Sequence, residues 1–377
     1  MHILVAPNAF KNSLSAPEVA EMIRKGLMQS KLKCTIECFP VADGGDGTAA
    51  LITDKLGGFQ EETLVTNPFG KLIKATFGVV HSGRTAVIEM ANASGIRLLD
   101  PKSLNPLRAT SFGTGQQIGS ALKNGIKNII ITMGGSATVD GGTGILKALG
   151  ARFLDDKGKV LPTSLESYTS LSSIDLTGLD ERASNCRFTV LCDVENMLLG
   201  KQGAANIFGP QKGASPDKVR ILNAALTRLT EVVFKQTSKN IAKIKYGGTA
   251  GGAAAGLYAI LDAELVNGIE YFLNATDFDA ALQRSNLVIT AEGSIDEQTL
   301  KGKGPYGVAF RAKKKGIPVI GLAGKVPLNQ NSGLQQYFDV LMAIGNRPSD
   351  MPTALSDTSI NIIRTGRQIG NLLAMKT

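Results

Sequence analysis

The chain has 377 residues, 43% of them hydrophobic and 19% charged, a balance that excludes a disordered polypeptide and provides for two domains, each with its own core. Lys and Arg number 41 against 32 Asp and Glu, a net charge of +9, but the densest basic run, Arg311-Ala-Lys-Lys-Lys315, is short and has only Phe310 beside it, which favours small anions over nucleic acid. No apolar run reaches membrane-spanning length and no charged-then-apolar leader opens the chain, so the expected address is the cytoplasm, with no membrane partner.

Residues 2–6 predict a short buried strand that ends at Pro7. Ser15-Ala-Pro-Glu18 then reads as a capping box with Pro inside the helix start, and Val19, Met22, Ile23 and Leu27 keep helical spacing. Residues 62–91 predict an antiparallel meander, with turns at Asn67-Pro-Phe-Gly70 and Ser82-Gly83. Helices are expected over 113–124, 215–235 and 250–261. The rhythm of strand and helix returns near the end, with strands at 287–290, 318–322 and 339–344 and helices at 306–315 and 357–375. Alternation at both termini predicts one parallel α/β sheet built from residues 1–65 and 285–377, with an α+β domain of residues 66–284 inserted.

Cys34, Cys38, Cys186 and Cys192 lack zinc or redox spacing and read as core thiols. With only His2 and His81 present, acid–base work falls to Asp, Glu or Lys.

Polar, glycine-bearing segments follow strand-like runs at 6–15, 41–48, 129–144, 191–196 and 291–296, where open α/β sheets gather ligands. In the third of these, Gly134, Gly135, Ser136 and Thr138 precede Asp140 and a short helix. Two readings stay open there: amides converging on a phosphate, or a sharp corner that needs glycine for its backbone alone. The stretch Gly247-Gly-Thr-Ala-Gly-Gly-Ala-Ala-Ala-Gly256 has two readings likewise, close helix packing or a backbone pressed against a ligand. Phosphoryl transfer needs donors for phosphate oxygens, carboxylates for a divalent metal, and a carboxylate near the accepting hydroxyl. Lys11, Lys212, Lys301 and Lys303 are the candidate cations. Asp43 and Asp193, with Lys212, are the candidate catalytic groups; Asp46 and Asp140 are the candidate metal ligands; Asn8 and Glu292 complete the expected substrate- and phosphate-binding set.

Eight segments in order, APNAFKNSLSA, PVADGGDGT, TAVIEMANASG, NPLRATSFGTG, MGGSATVDGG, CDVENMLLG, FGPQKGA and AEGSIDEQTLKGKGPYGVA, resemble the type I glycerate kinases of bacteria from end to end. The resemblance implies a flavodoxin-like three-layer domain formed by both termini and an inserted restriction-enzyme-like domain. It also implies phosphorylation of D-glycerate by ATP with Mg²⁺, the 2-phosphate product being usual for the type. The sequence departs from the pattern at Asn8 and Ala9, where the family carries Asp and Ser, at Ser294, where it carries Arg, and at Met197, where it carries Pro. A kinase of another small hydroxy acid, and a sensor that binds a phosphorylated metabolite without turnover, are the alternatives. Oligomeric state stays open, a homodimer included.

Overall fold

The computed structural model describes residues 1–328 and 333–375. They divide into two compact units, Met1–Asp43 with Ile269–Thr377 and, inserted between them in the chain, Gly44–Gly268.

The first unit holds a five-stranded parallel sheet in the order Thr35–Cys38, His2–Val5, Leu287–Ser294, Val319–Lys325, Val340–Ala343. Numbered within the unit, this is 2-1-3-4-5, the flavodoxin-like order. The three central strands carry continuous buried apolar runs because both of their faces are covered, whereas the edge strands Thr35–Cys38 and Val340–Ala343 are exposed or half-buried. Ile3, Val5, Ile289 and Leu322 pack against Val19, Ile23, Ile362 and Ile369 of the helices Ala16–Met28 and Thr358–Ala374. The alternate residues Leu4 and Val288 are equally buried, and in that unit the helix Gly304–Lys314 packs against Leu287–Ser294 and Val319–Lys325. Gly26 lets the first and last helices meet closely: a Cβ there would stand 2.4 Å from the Ile363 carbonyl oxygen. Glu18 closes the expected capping box, its carboxylate accepting from the Ser15 amide and hydroxyl.

The second unit is built on a six-stranded mixed sheet in the order Glu264–Asn267, Arg187–Cys192, Asn128–Thr132, Thr85–Glu89, Leu72–Val80, Phe59–Thr66. The first four are parallel and the last two antiparallel. The predicted meander therefore exists, but as one flank of a larger sheet. Because Phe59–Thr66 pairs along its length with Leu72–Val80, residues 44–65 fold with the second unit, where the sequence reading had joined them to the first. Residues 269–284 join the first unit for a matching reason: Ile269 and Leu273 would lie 2.6 and 3.4 Å from a Cβ at Gly307, and the rings of Phe278 and Phe39 meet edge to face with centroids 5.1 Å apart. Phe77, Ile88, Ile129, Ile131 and Phe188 of the sheet form the core of the second unit with Ile118, Leu226 and Leu257 of the helices Phe112–Lys123, Pro216–Thr237 and Ala253–Leu261.

Among the described residues no helix is long and apolar enough to cross a membrane.

Candidate functional site

The expected residues gather in two clusters, one in each unit. In the second unit three parallel strands end side by side, Glu89 being in register with Thr132 and Thr132 with Leu191. The chain leaving each end therefore carries its polar residues to one edge of the sheet: Glu89, the turn 133–142, and Asp193.

The turn is shaped by its own carboxylate. Asp140 is only 2% exposed and accepts four hydrogen bonds, from the Ser111 amide (2.8 Å) and hydroxyl (2.7 Å) and from the amides of Gly142 (3.1 Å) and Gly144 (3.3 Å). The helix that follows, Thr143–Ala148, is a turn and a half long, and its first amides are occupied by Asp140 and by the Ser111 hydroxyl, which accepts from Ile145. The anion at this helix start is thus a side chain of the chain itself, not a bound phosphate. With both oxygens engaged, Asp140 is a lock for the turn.

Gly134 is likewise committed, its amide donating to the Gly44 carbonyl at 3.0 Å, and the Ala137 amide donates to the Ser94 carbonyl at 2.9 Å. Gly135 has φ +69°, and a Cβ on it would lie 2.0 Å from Oδ1 of Asp46. Glycine is required there on both counts. It leaves the exposed Asp46 carboxylate lying against the turn. The glycine-rich stretch near 250 settles as close packing against the same turn: Gly251, φ +65°, has no room for a Cβ, which would come 2.2 Å from the Thr138 carbonyl oxygen.

Lys212 is buried at the same turn. It is 5% exposed, and its Nζ donates to Ser136 Oγ at 2.9 Å and to the Thr138 carbonyl at 2.7 Å. Neither bond reaches a carboxylate. Burial pushes the ammonium down to about 8, against the opposing pull of Asp140 and Asp193. Asp193, half-buried just past the strand Arg187–Cys192, therefore belongs to the same electrostatic group as Lys212, Ser136 and Thr138. The Thr138 Oγ1 is buried without a hydrogen-bond partner among the described residues.

In the first unit the decisive place is the switch point of the sheet, where the order reverses between His2–Val5 and Leu287–Ser294; ligands of such sheets bind at the carboxyl ends of those strands. Asn8 and Lys11 follow the first of these strands, and Glu292 lies in the other, two residues before its end at Ser294. Lys11 sits on a tight turn closed between Phe10 and Leu14, made possible by Asn12 at φ 64°. Asp43 is held at Oδ2 by Asn8 Nδ2 (2.9 Å) and by the Gly304 amide (3.2 Å). Glu292 is 8% exposed, with Oε2 buried and lacking a hydrogen-bond partner among the described residues. Burial first, and the Asp43 charge second, push its carboxyl up to about 8, while Lys303 and Lys11 pull the other way. Ser294 donates to Asp296 at 3.2 Å.

A model of the glycerate kinase family matches residues 3–374. The chain belongs to the glycerate kinase family. It is 42% identical over 369 residues to the glycerate kinase of Bacillus subtilis (strain 168), covering 98% of this chain and 97% of that one. It is 41% identical over 379 residues to the glycerate 2-kinase of Escherichia coli (strain K12), covering 100% and 98%. A crystal structure from Salmonella typhimurium LT2 that carries the name glycerate kinase 2 superposes with a TM-score of 0.83 at 40% identity, covering 100% of this chain and 99% of that chain.

Set in this family, the clusters divide the expected residues cleanly. Asn8, Lys11, Asp43, Glu292 and Lys303 lie in the first unit; Asp46, Gly134, Gly135, Ser136, Thr138, Asp140, Asp193 and Lys212 lie in the second. Two residues that shape the second cluster were not singled out from the sequence. Ser111 completes the Asp140 lock. Glu89, 3% exposed, accepts from the amides of Gly47 (2.9 Å) and Ala49 (3.4 Å), so it, and neither Asp43 nor Asp46, caps the helix Thr48–Lys55. Burial pushes the Glu89 carboxyl up; the Gly47 amide and Arg97 pull it down. Both residues lie in segments that carried the family resemblance, and both look unremarkable in sequence because their partners are more than 25 residues away.

Proposed function

We propose that this protein is an ATP-dependent kinase of D-glycerate that works with Mg²⁺ and favours the 2-phosphoglycerate product. The observation that carries the reading is Lys212, an ammonium buried at a glycine turn whose hydrogen bonds go to a hydroxyl and a carbonyl. A buried cation without a hydrogen-bonded carboxylate is stabilised by an incoming anion, and a phosphoryl group in transfer is one. Membership of the family and the names of the relatives supply the acceptor, and the name of the Escherichia coli relative supports the 2-position.

Lys212 and the Ser136 hydroxyl hold phosphate oxygens in this reading, and Asp193 keeps the Lys212 charge in place. Among the described residues no three acidic, His or Cys side chains form a metal cage, and Mg²⁺ beside phosphates needs none: one or two carboxylates suffice. The exposed Asp46 fits that requirement and the engaged Asp140 does not. When bound, Mg²⁺ would neutralise charge on the phosphate oxygens. Lys11 and Lys303 provide cations for the carboxylate of the hydroxy acid, with Asn8 as a hydrogen-bonding neighbour.

Incubation with Mg·ATP and D-glycerate, with ADP measured and the product identified by ³¹P NMR, tests the reading. ADP with 2-phosphoglycerate is expected. ADP with the 3-isomer overturns the position, ADP only with another hydroxy acid overturns the acceptor, and binding without ADP favours a sensor.

A further inference from the structure

The proposed reaction leaves the proton of the accepting hydroxyl without a destination, and among the described residues of the first unit Glu292 is a buried carboxyl with an unpaired oxygen that can take it. Glu292 lies two residues before the carboxyl end of the strand Leu287–Ser294 at the switch point of the sheet, the place where ligands of this topology sit. Its Oε2 is buried and makes no hydrogen bond among the described residues. The neighbouring Asp43 is already an acceptor for Asn8 and Gly304. Four charged groups face Glu292: Asp43 from the loop after Thr35–Cys38, Lys11 from the loop after His2–Val5, Lys303 from the start of the helix Gly304–Lys314, and Asp296 from its own loop.

We propose that Glu292 accepts the proton of the hydroxyl of the hydroxy acid during phosphoryl transfer, Lys11 and Lys303 holding the substrate carboxylate beside it. The inference rests on the kinase reading and gives to Glu292 a catalytic role for which the sequence had offered Asp43 and Asp193 as the candidate carboxylates. The hydroxyl O–H bond breaks with its proton passing to Oε2, the freed pair forms the new O–P bond, and the P–O bond to ADP breaks with its pair leaving on ADP. A general base acts best with a pKa near the working pH, and desolvation moves Glu292 into that range. The sign follows: below its raised pKa the group already carries a proton, so turnover climbs as pH rises through about 8.

The test is kcat and KM for D-glycerate and ATP against pH, for wild type, Glu292→Gln and Glu292→Asp. Glu292→Gln should lose on the order of 10²-fold or more in kcat and lose the acid limb, with KM for ATP unchanged. Glu292→Asp should keep a limb and part of the rate. A folded Glu292→Gln with wild-type kcat overturns the inference. A wild-type profile without an acid limb near about 8 overturns it as well and needs no variant. Wild-type protein that makes no ADP from D-glycerate refutes the kinase reading itself, and this inference falls with it, a result distinct from either of the others.

Discussion

Glu292→Gln also tests the burial of that carboxyl by a route that needs no substrate. The folded protein holds the group near 8 against an ordinary 4.5, with burial as the largest cause. A raised folded pKa stabilises the fold at low pH, and that contribution is lost as pH climbs from the unfolded value to the folded one. Each pH unit in the window removes about 1.4 kcal/mol, so between about pH 5 and about pH 8 wild type should lose about 4 kcal/mol that the glutamine variant keeps. Urea unfolding followed by far-ultraviolet circular dichroism at several pH values measures it. Every other titrating group is common to both proteins, so the difference between the two curves isolates residue 292. Parallel curves would mean that Glu292 ionises without penalty in the fold, and would refute the account of its burial.

Asp140→Ala should cost several kcal/mol in urea unfolding, because the buried amides of Ser111, Gly142 and Gly144 lose their acceptor at about 1–3 kcal/mol each; a loss below about 1 kcal/mol would remove the lock. Gly135→Ala should displace Asp46 and raise the Mg²⁺ concentration needed for half-maximal ADP formation, whereas an unchanged Mg²⁺ dependence would take Asp46 out of the metal site. Lys212→Met should cut kcat by on the order of 10²-fold or more while leaving the melting temperature at pH 7 equal or higher. The folded pKa of Lys212 is depressed to about 8, so its linked stability is present at high pH and lost as pH falls through that value, and the methionine variant should show no such loss. Wild-type turnover in that variant would exclude Lys212 from phosphate binding.

The capping box at Ser15, the last helix and the strand before the glycine turn were all legible in the sequence, because each depends on residues a few positions apart. The strand 128–132 was placed by its β-branched run, and the helix at 358–374 by its spacing. The order of strands was not legible. A strand such as Leu287–Ser294 reads the same whether it lies at the centre or the edge of a sheet, and only pairing with His2–Val5 across more than 280 residues puts Glu292 at a switch point.

The sequence by itself determined the family, the alternation of strands and helices, and the residue types from which a site could be made. Tertiary structure decided what each of those residues is free to do. Asp140 and Glu292 are both acidic residues shortly after an apolar strand-like run, and nothing local separates them. Distant donors saturate one, through Ser111, and burial beside Asp43 leaves the other with an unpaired oxygen and a raised pKa. Solvation and hydrogen bonding are set by whatever the fold brings near, so the same residue type becomes a clamp in one unit and a candidate base in the other.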